Sequence, residues 1–179
     1  MSILVPAVGS VPPAPREPDA PEVLRSWLVR AHAVPSKART EWTKQGVALL
    51  PLGRKFSAIR LPGKLVHAAA GSDEHQAVAE LLDDALRGPV IHDTMSVAHS
   101  YYALVGTWSE WVGYEDTPLL GTETFLGVPD IGRTEPPGSY WVVAPRYRHV
   151  LCRTGRVLDF IVQARRALRE ETGDDIRLA

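Results

Sequence analysis

The sequence has no asparagine and a single cysteine, Cys152, among its 179 residues. Without asparagine it offers no acceptor for N-linked glycosylation. One cysteine excludes an intramolecular disulfide and any zinc or iron–sulfur site that needs several cysteines. His149 lies three residues before Cys152, but residues i and i+3 of a strand face opposite sides. We therefore expect a buried, unreactive thiol rather than a nucleophile.

The chain also lacks long hydrophobic runs and an excess of charge of one sign. No apolar run reaches the ~18 to 20 residues that span a membrane. The 20 Lys and Arg residues against 21 Asp and Glu give a net charge of -1, which excludes a histone-like polycation but not a local basic face. P-loop, dinucleotide-binding, zinc-protease and serine-hydrolase motifs are all absent. We expect a cytoplasmic protein with no membrane contact.

Proline is concentrated at the N-terminus, where it occupies six of the first 21 positions. Such a segment holds neither a helix nor a central strand. The sequence therefore predicts a flexible tail at 1–18, one domain at 19–172 and a short C-terminal tail at 173–179.

Local patterns within the domain predict four helices and six strands. Asp19 and Ser72 are the predicted N-terminal caps, Gly46 is a predicted helix end, and residues 65–70 are ambiguous. The predicted helices cover 19–32, 37–45, 72–87 and 156–170, and the predicted strands 47–50, 56–60, 89–92, 100–105, 124–128 and 140–144. Strand 47–50 reads as buried and central, and the third and fourth strands as a hairpin. Hairpins outnumber crossovers, which predicts an α+β domain with a mixed or mostly antiparallel sheet flanked by helices.

Three groups of residues are candidates for function. His92 and Asp93 end the first strand of the predicted hairpin and His99 opens the second, so the three could bind a divalent metal, or simply cap the turn. Basic residues near the first and last strands could bind phosphates if they share a face, or could only solvate a rim; they are Arg54, Lys55, Arg60, Lys64, Arg133, Arg146 and Arg148. Aromatic residues in the loop 106–121 could anchor a protein partner; they are Trp108, Trp111 and Tyr114.

Three segments resemble, in order, parts of the N-terminal domain of bifunctional DNA primase/polymerases, the prim-pol family. Residues 45–55, a glycine and an apolar strand ending in proline before a basic turn, resemble the opening strand of that family. Residues 72–86 resemble the helix that follows. Residues 127–145, which end in Tyr-Trp-Val-Val-Ala-Pro, resemble a late strand. The resemblance spans about 37–150 and implies a primase/polymerase-like fold.

The catalytic carboxylates of that family are missing from the matching strand. Members hold two divalent ions with an Asp-x-Asp/Glu pair, which bridges both ions during phosphoryl transfer, and carry a downstream histidine that contacts nucleotide phosphates. Residues 101–106, the matching strand, contain no acid, and Thr-Glu-Thr at 122–124 stands where the histidine motif is expected. The resemblance thus implies a module with no catalytic residues and no cofactor, which binds DNA, RNA or nucleotide and regulates replication or a mobile element.

Two alternatives stay open at this point. The first is a protein–protein interaction or scaffold protein that uses the Pro-rich tail and the Trp-rich loop. The second is a small enzyme that uses Mg²⁺ or Mn²⁺ at His92, Asp93 and His99.

Overall fold

Five α-helices and seven β-strands make up the part of the chain that the computed structural model describes, residues 14–96 and 99–177, the last four by their backbone alone. The helices are α1 (Pro21–Leu28), α2 (Pro35–Gln45), α3 (Gly63–Ala70), α4 (His75–Leu86) and α5 (Thr154–Arg177). The strands are β1 (Val47–Pro51), β2 (Ser57–Leu61), β3 (Val90–Asp93), β4 (Ser100–Val105), β5 (Leu119–Leu120), β6 (Phe125–Pro129) and β7 (Ser139–Val143). Residues 1–13 of the predicted tail lie outside the described residues.

The strands form two antiparallel sheets. Five strands pair in the order β5-β2-β4-β3-β7, and β1 pairs with β6 in a separate two-stranded sheet. One face of the large sheet packs on α3, α4 and α5, and its other face on α1, α2 and the small sheet. The prediction of an α+β domain with a mostly antiparallel sheet is confirmed. No helix in the described part of the chain is both long and apolar enough to cross a bilayer.

Two helix boundaries follow from local sequence. Gly46 ends α2 in the left-handed region at φ 74°, as predicted, whereas α2 begins at Pro35, before the predicted start at 37. The start of α4 differs from the prediction, because Glu74 rather than Ser72 is its N-cap. The Glu74 carboxylate accepts hydrogen bonds from the backbone N–H groups of Gln76 and Ala77, which satisfies two of the unpaired donors of the first turn.

The predicted cap of the first helix is also wrong. Helix α1 begins at Pro21 with Ala20 as N-cap, and a 3₁₀ turn at Val29–Ala31 follows it. The carboxylate of Asp19 instead accepts a hydrogen bond from the backbone N–H of Arg148 at 2.8 Å. The local sequence pattern assigns the Asp19 side chain to the start of the helix, but in the structure this side chain makes a tertiary hydrogen bond instead.

Three further elements differ from the sequence prediction. Strand β1 pairs only with β6 and leaves Leu49 53% exposed, so it is not a central buried strand. The ambiguous segment 65–70 belongs to α3. Helix α5 continues to Arg177, so most of the predicted C-terminal tail at 173–179 is helical.

Candidate functional site: a histidine–tyrosine cluster

A row of three side chains crosses the large sheet at one end. His92 on β3 lies directly opposite Tyr101 on β4 and opposite Tyr140 on β7. Residues paired in this way place their side chains on the same face of a sheet. That face is the one covered by α3, α4 and α5.

The helices above this row add two more imidazoles. His67 near the end of α3 is hydrogen-bonded through Nε2 to the Tyr101 hydroxyl at 3.0 Å. His75, the first residue of α4, is hydrogen-bonded through Nδ1 to the Tyr140 hydroxyl at 3.3 Å. The same hydroxyl lies 2.8 Å from Nδ1 of His92. Each phenol therefore fixes one nitrogen of an imidazole near the surface.

His99, just before β4, completes the group, with its ring centre 6.1 Å from that of His92. We call these six residues the histidine–tyrosine cluster; they are His67, His75, His92, His99, Tyr101 and Tyr140. The cluster contains four of the six histidines of the chain. His75 and His99 are exposed, His67 is partly buried, and the other three side chains are buried.

His92 is the buried centre of the cluster. It is 6% exposed, and its ring stacks on Tyr101 with centroids 3.9 Å apart and planes 5° from parallel. Burial, and then the nearby His67 and His99, lower the pKa of His92 to about 4. The imidazole is therefore neutral at neutral pH. Its Nε2 atom is buried and has no hydrogen-bond partner among the described residues.

Burial shifts the other enclosed groups in the direction of their neutral forms. It raises the pKa of Tyr101 and of Tyr140, so both phenols keep their protons at neutral pH. It also lowers the pKa of His67. The buried members of the cluster, His92, Tyr101 and Tyr140, are therefore neutral N–H and O–H groups at neutral pH.

The structure brings together only two of the three residues of the predicted metal-binding set, His92 and His99. His92 and Asp93 are consecutive on β3, so their side chains leave opposite faces of the sheet. The Asp93 carboxylate accepts a hydrogen bond from the backbone N–H of Met95, and His99 is exposed. Within residues 14–96 and 99–177, no three His, Cys, Asp or Glu side chains are arranged to hold a metal ion.

The basic residues do not form one patch. Arg54 and Lys55 follow the end of β1, whereas Arg133 lies at its beginning, next to Gly46. Five strand residues separate these positions, roughly 16 Å. Arg146 pairs with Asp83, and Arg148 lies beside Asp19.

The basic residues around β2 are exposed. Four of them take part in no ion pair within the described part of the chain. These four residues are Arg54, Lys55, Arg60 and Lys64. Lys64 precedes His67 by three residues on α3, so the two are neighbours on the helix surface. A positive charge therefore stands beside the cluster.

The Trp-rich loop is attached to the body of the domain. Trp111 packs against the core and donates from its Nε1 to the carbonyl of Thr117 at 2.8 Å. The guanidinium of Arg165 on α5 lies 4.1 Å from the ring centre of Tyr114. Trp108, by contrast, is 97% exposed.

Cys152 is buried, and burial raises its pKa to about 12. Its sulfur faces the carbonyl of Pro89 at 3.6 Å. His149 packs edge-on against Trp27, 5.9 Å between ring centres. These contacts fit the expectation of an unreactive thiol.

Sequence reasoning named His92 and His99 but missed the other four members of the cluster. His67 and His75 lie on helices, and Tyr101 and Tyr140 look like ordinary core residues of strands. The available signal was the spacing of histidine, since four of six fall between positions 67 and 99. The six side chains come together because of the order of the strands in the sheet, and the sequence pattern does not reveal that order.

A scan of protein-family models and searches of curated proteins and of solved structures found nothing that matches this chain.

Proposed function

We propose that this protein is a non-catalytic module that binds nucleotide or nucleic acid. The observation that carries the proposal is the histidine–tyrosine cluster. It presents several N–H groups at one end of the sheet, two of them on exposed imidazoles. Imidazole and phenol donors are suited to phosphate oxygens, which accept hydrogen bonds and carry negative charge.

One positive charge near the cluster supports an anionic ligand, because Lys64 stands beside His67 on α3. Arg60 pairs with Tyr102, so its side chain leaves the opposite face of the sheet from Tyr101 and the cluster. Asp93 lies on the opposite face of the sheet from His92, and Glu74 is engaged as the cap of α4. Asp73 is the exposed acid close enough to influence His67.

The missing carboxylates support a binding role without polymerase chemistry. Strand β4, the strand that we align with the metal-binding strand of the prim-pol family by resemblance alone, carries no acid. Two-metal catalysis requires carboxylates that bridge both ions. The resemblance to that family suggests nucleotide or nucleic acid as the ligand. The lack of acidic residues on β4 argues against polymerase activity.

The test is fluorescence anisotropy with labelled single-stranded DNA, duplex DNA and a nucleoside triphosphate, at low and at moderate salt. Binding should weaken as salt rises, because phosphate contacts release counterions. Lys64→Ala should weaken binding, whereas Lys37→Ala on α2 serves as the control. Absence of binding to all three probes at low salt would refute the proposed function.

One observation favours a second candidate, binding of a protein partner by the Trp-rich loop. Trp108 is 97% exposed and Val112 is 88% exposed, while Trp111 holds the loop in place. Large apolar side chains held on an ordered loop are typical of interface anchors. A pull-down with the wild-type chain and with Trp108→Ser should then differ in the partners recovered.

A further inference from the structure

Two of the three outer imidazoles of the cluster are oriented by hydrogen bonds to phenols. His75 is hydrogen-bonded at Nδ1 to Tyr140, and His67 at Nε2 to Tyr101. Each ring keeps its other nitrogen for a further partner. A fixed ring with one nitrogen left for another group is how proteins prepare histidine for binding.

Each outer imidazole packs beside one member of the buried row. The ring centres of His75 and Tyr140 are 5.4 Å apart, those of His67 and Tyr101 are 5.8 Å apart, and those of His92 and His99 are 6.1 Å apart. The three outer imidazoles therefore lie at the same end of the large sheet, and His67 and His99 are close enough to interact electrostatically.

A group of neighbouring imidazoles suits a dianion better than a monoanion. Imidazoles that lie close together disfavour each other's protonation, and a nearby negative charge reverses this effect. A terminal phosphate monoester carries about −1.5 to −2 charges at neutral pH, and an internal phosphodiester carries one. Lys64 beside His67 adds to the attraction, whereas Asp73 near His67 and Glu74 beside His75 oppose it.

We propose that the outer imidazoles of the histidine–tyrosine cluster, His67, His75 and His99, bind the terminal phosphate monoester of a nucleotide or of a nucleic-acid strand. This rests on the proposed function and names its ligand group. Tyr101 and Tyr140 are positioning residues, because they act through the imidazoles that they hold. His92 is the buried support on which both phenols pack.

The test compares two labelled single-stranded DNA oligonucleotides of the same sequence, one with a 5′-phosphate and one with a 5′-hydroxyl, by fluorescence anisotropy. We expect the 5′-phosphate to bind about tenfold more tightly, the gain typical of one hydrogen bond to a charged group. Competition with a nucleoside monophosphate, with the nucleoside as control, separates recognition of a free nucleotide from recognition of a strand end.

Two exposed variants make the test independent of folding defects. His75→Gln should remove most of the preference for the 5′-phosphate, and the control His149→Gln, outside the cluster, should keep it. Asp73→Asn should increase the preference, a gain that a folding defect cannot produce. Tyr140→Phe should reduce the preference and leave binding of the 5′-hydroxyl strand unchanged.

The outcomes separate this inference from the proposed function. Equal binding of the two strands by the wild-type protein would overturn the inference while the proposed function stands. Loss of binding to both strands in low salt would overturn both. A preference that His75→Gln and Asp73→Asn leave unchanged would place the phosphate outside the cluster and would also overturn the inference.

Discussion

Acid should destabilise this protein through one side chain, His92. Its folded-state pKa is about 4, against an ordinary value of 6.5. Between pH 6.5 and about pH 4, His92 is therefore protonated in the unfolded chain but not in the folded protein. The free energy of unfolding falls as the pH drops through this range. The side chains facing His92 that produce this effect are Tyr101, Tyr140, His67 and His99, with Asp93 acting weakly in the opposite direction.

The size of the effect follows from the shift. A lowering from 6.5 to about 4 corresponds to a total of about 3 kcal/mol. Most of this stabilisation is lost by about pH 5. At that pH the free energy of unfolding of the wild-type protein should be about 2 kcal/mol lower than at about pH 7.5. The stabilisation that comes from a neutral His92 should be fully present above the pKa of the unfolded chain, 6.5, and fully lost below about pH 4.

Urea unfolding at a series of pH values measures this directly. The variant His92→Gln keeps a hydrogen-bonding group opposite Tyr140 but cannot take up a proton. We expect its free energy of unfolding to vary less with pH than that of the wild-type protein by about 2 kcal/mol between about pH 7.5 and 5. His149→Gln is the control. Parallel pH profiles for wild type and His92→Gln would show that burial of this imidazole does not govern acid stability.

Three other perturbations test separate parts of the structure. Cys152 should resist a thiol reagent at neutral pH in the native protein and react fully in urea; native labelling would contradict its burial. Gly88→Ala should cost about 1 to 3 kcal/mol in urea unfolding, because the new Cβ would lie 2.5 Å from the backbone nitrogen of Cys152; Gly132→Ala, with open space around it, should be near neutral and is the control. Arg165→Ala should speed limited proteolysis within the loop 106–121, since it removes an ion pair and a stacking contact; an unchanged rate would mean that the loop is held by other contacts.

Where local chemistry decides a structure, the sequence predicts it. The end of α2 is set by Gly46, and the β3–β4 hairpin joins two short apolar runs that are close in the sequence. Each feature depends on residues within about ten positions of one another. These predictions match the structure closely for that reason.

Features that depend on distant contacts were not predictable in this way. Asp19 reads as a helix cap but contacts Arg148, which is 129 positions away. Strand β1 reads as a central strand, but its partner β6 comes more than 70 residues later and forms a separate sheet with it. The histidine–tyrosine cluster draws on two helices, three strands and the residue before β4, so only the sheet order reveals it.

The Tyr140 hydroxyl has a further consequence, because it lies between two imidazole nitrogens and carries a single hydrogen. It can donate to His75 or to His92, and the other ring must then donate to it. When the His75 ring is neutral, a ligand that accepts a hydrogen bond from its Nε2 leaves Nδ1 without a hydrogen, and the Tyr140 hydroxyl then donates to Nδ1. His92 must then carry its proton on Nδ1. The tautomer of a buried ring would thus report what is bound at the surface, and nitrogen NMR of His92 could read it.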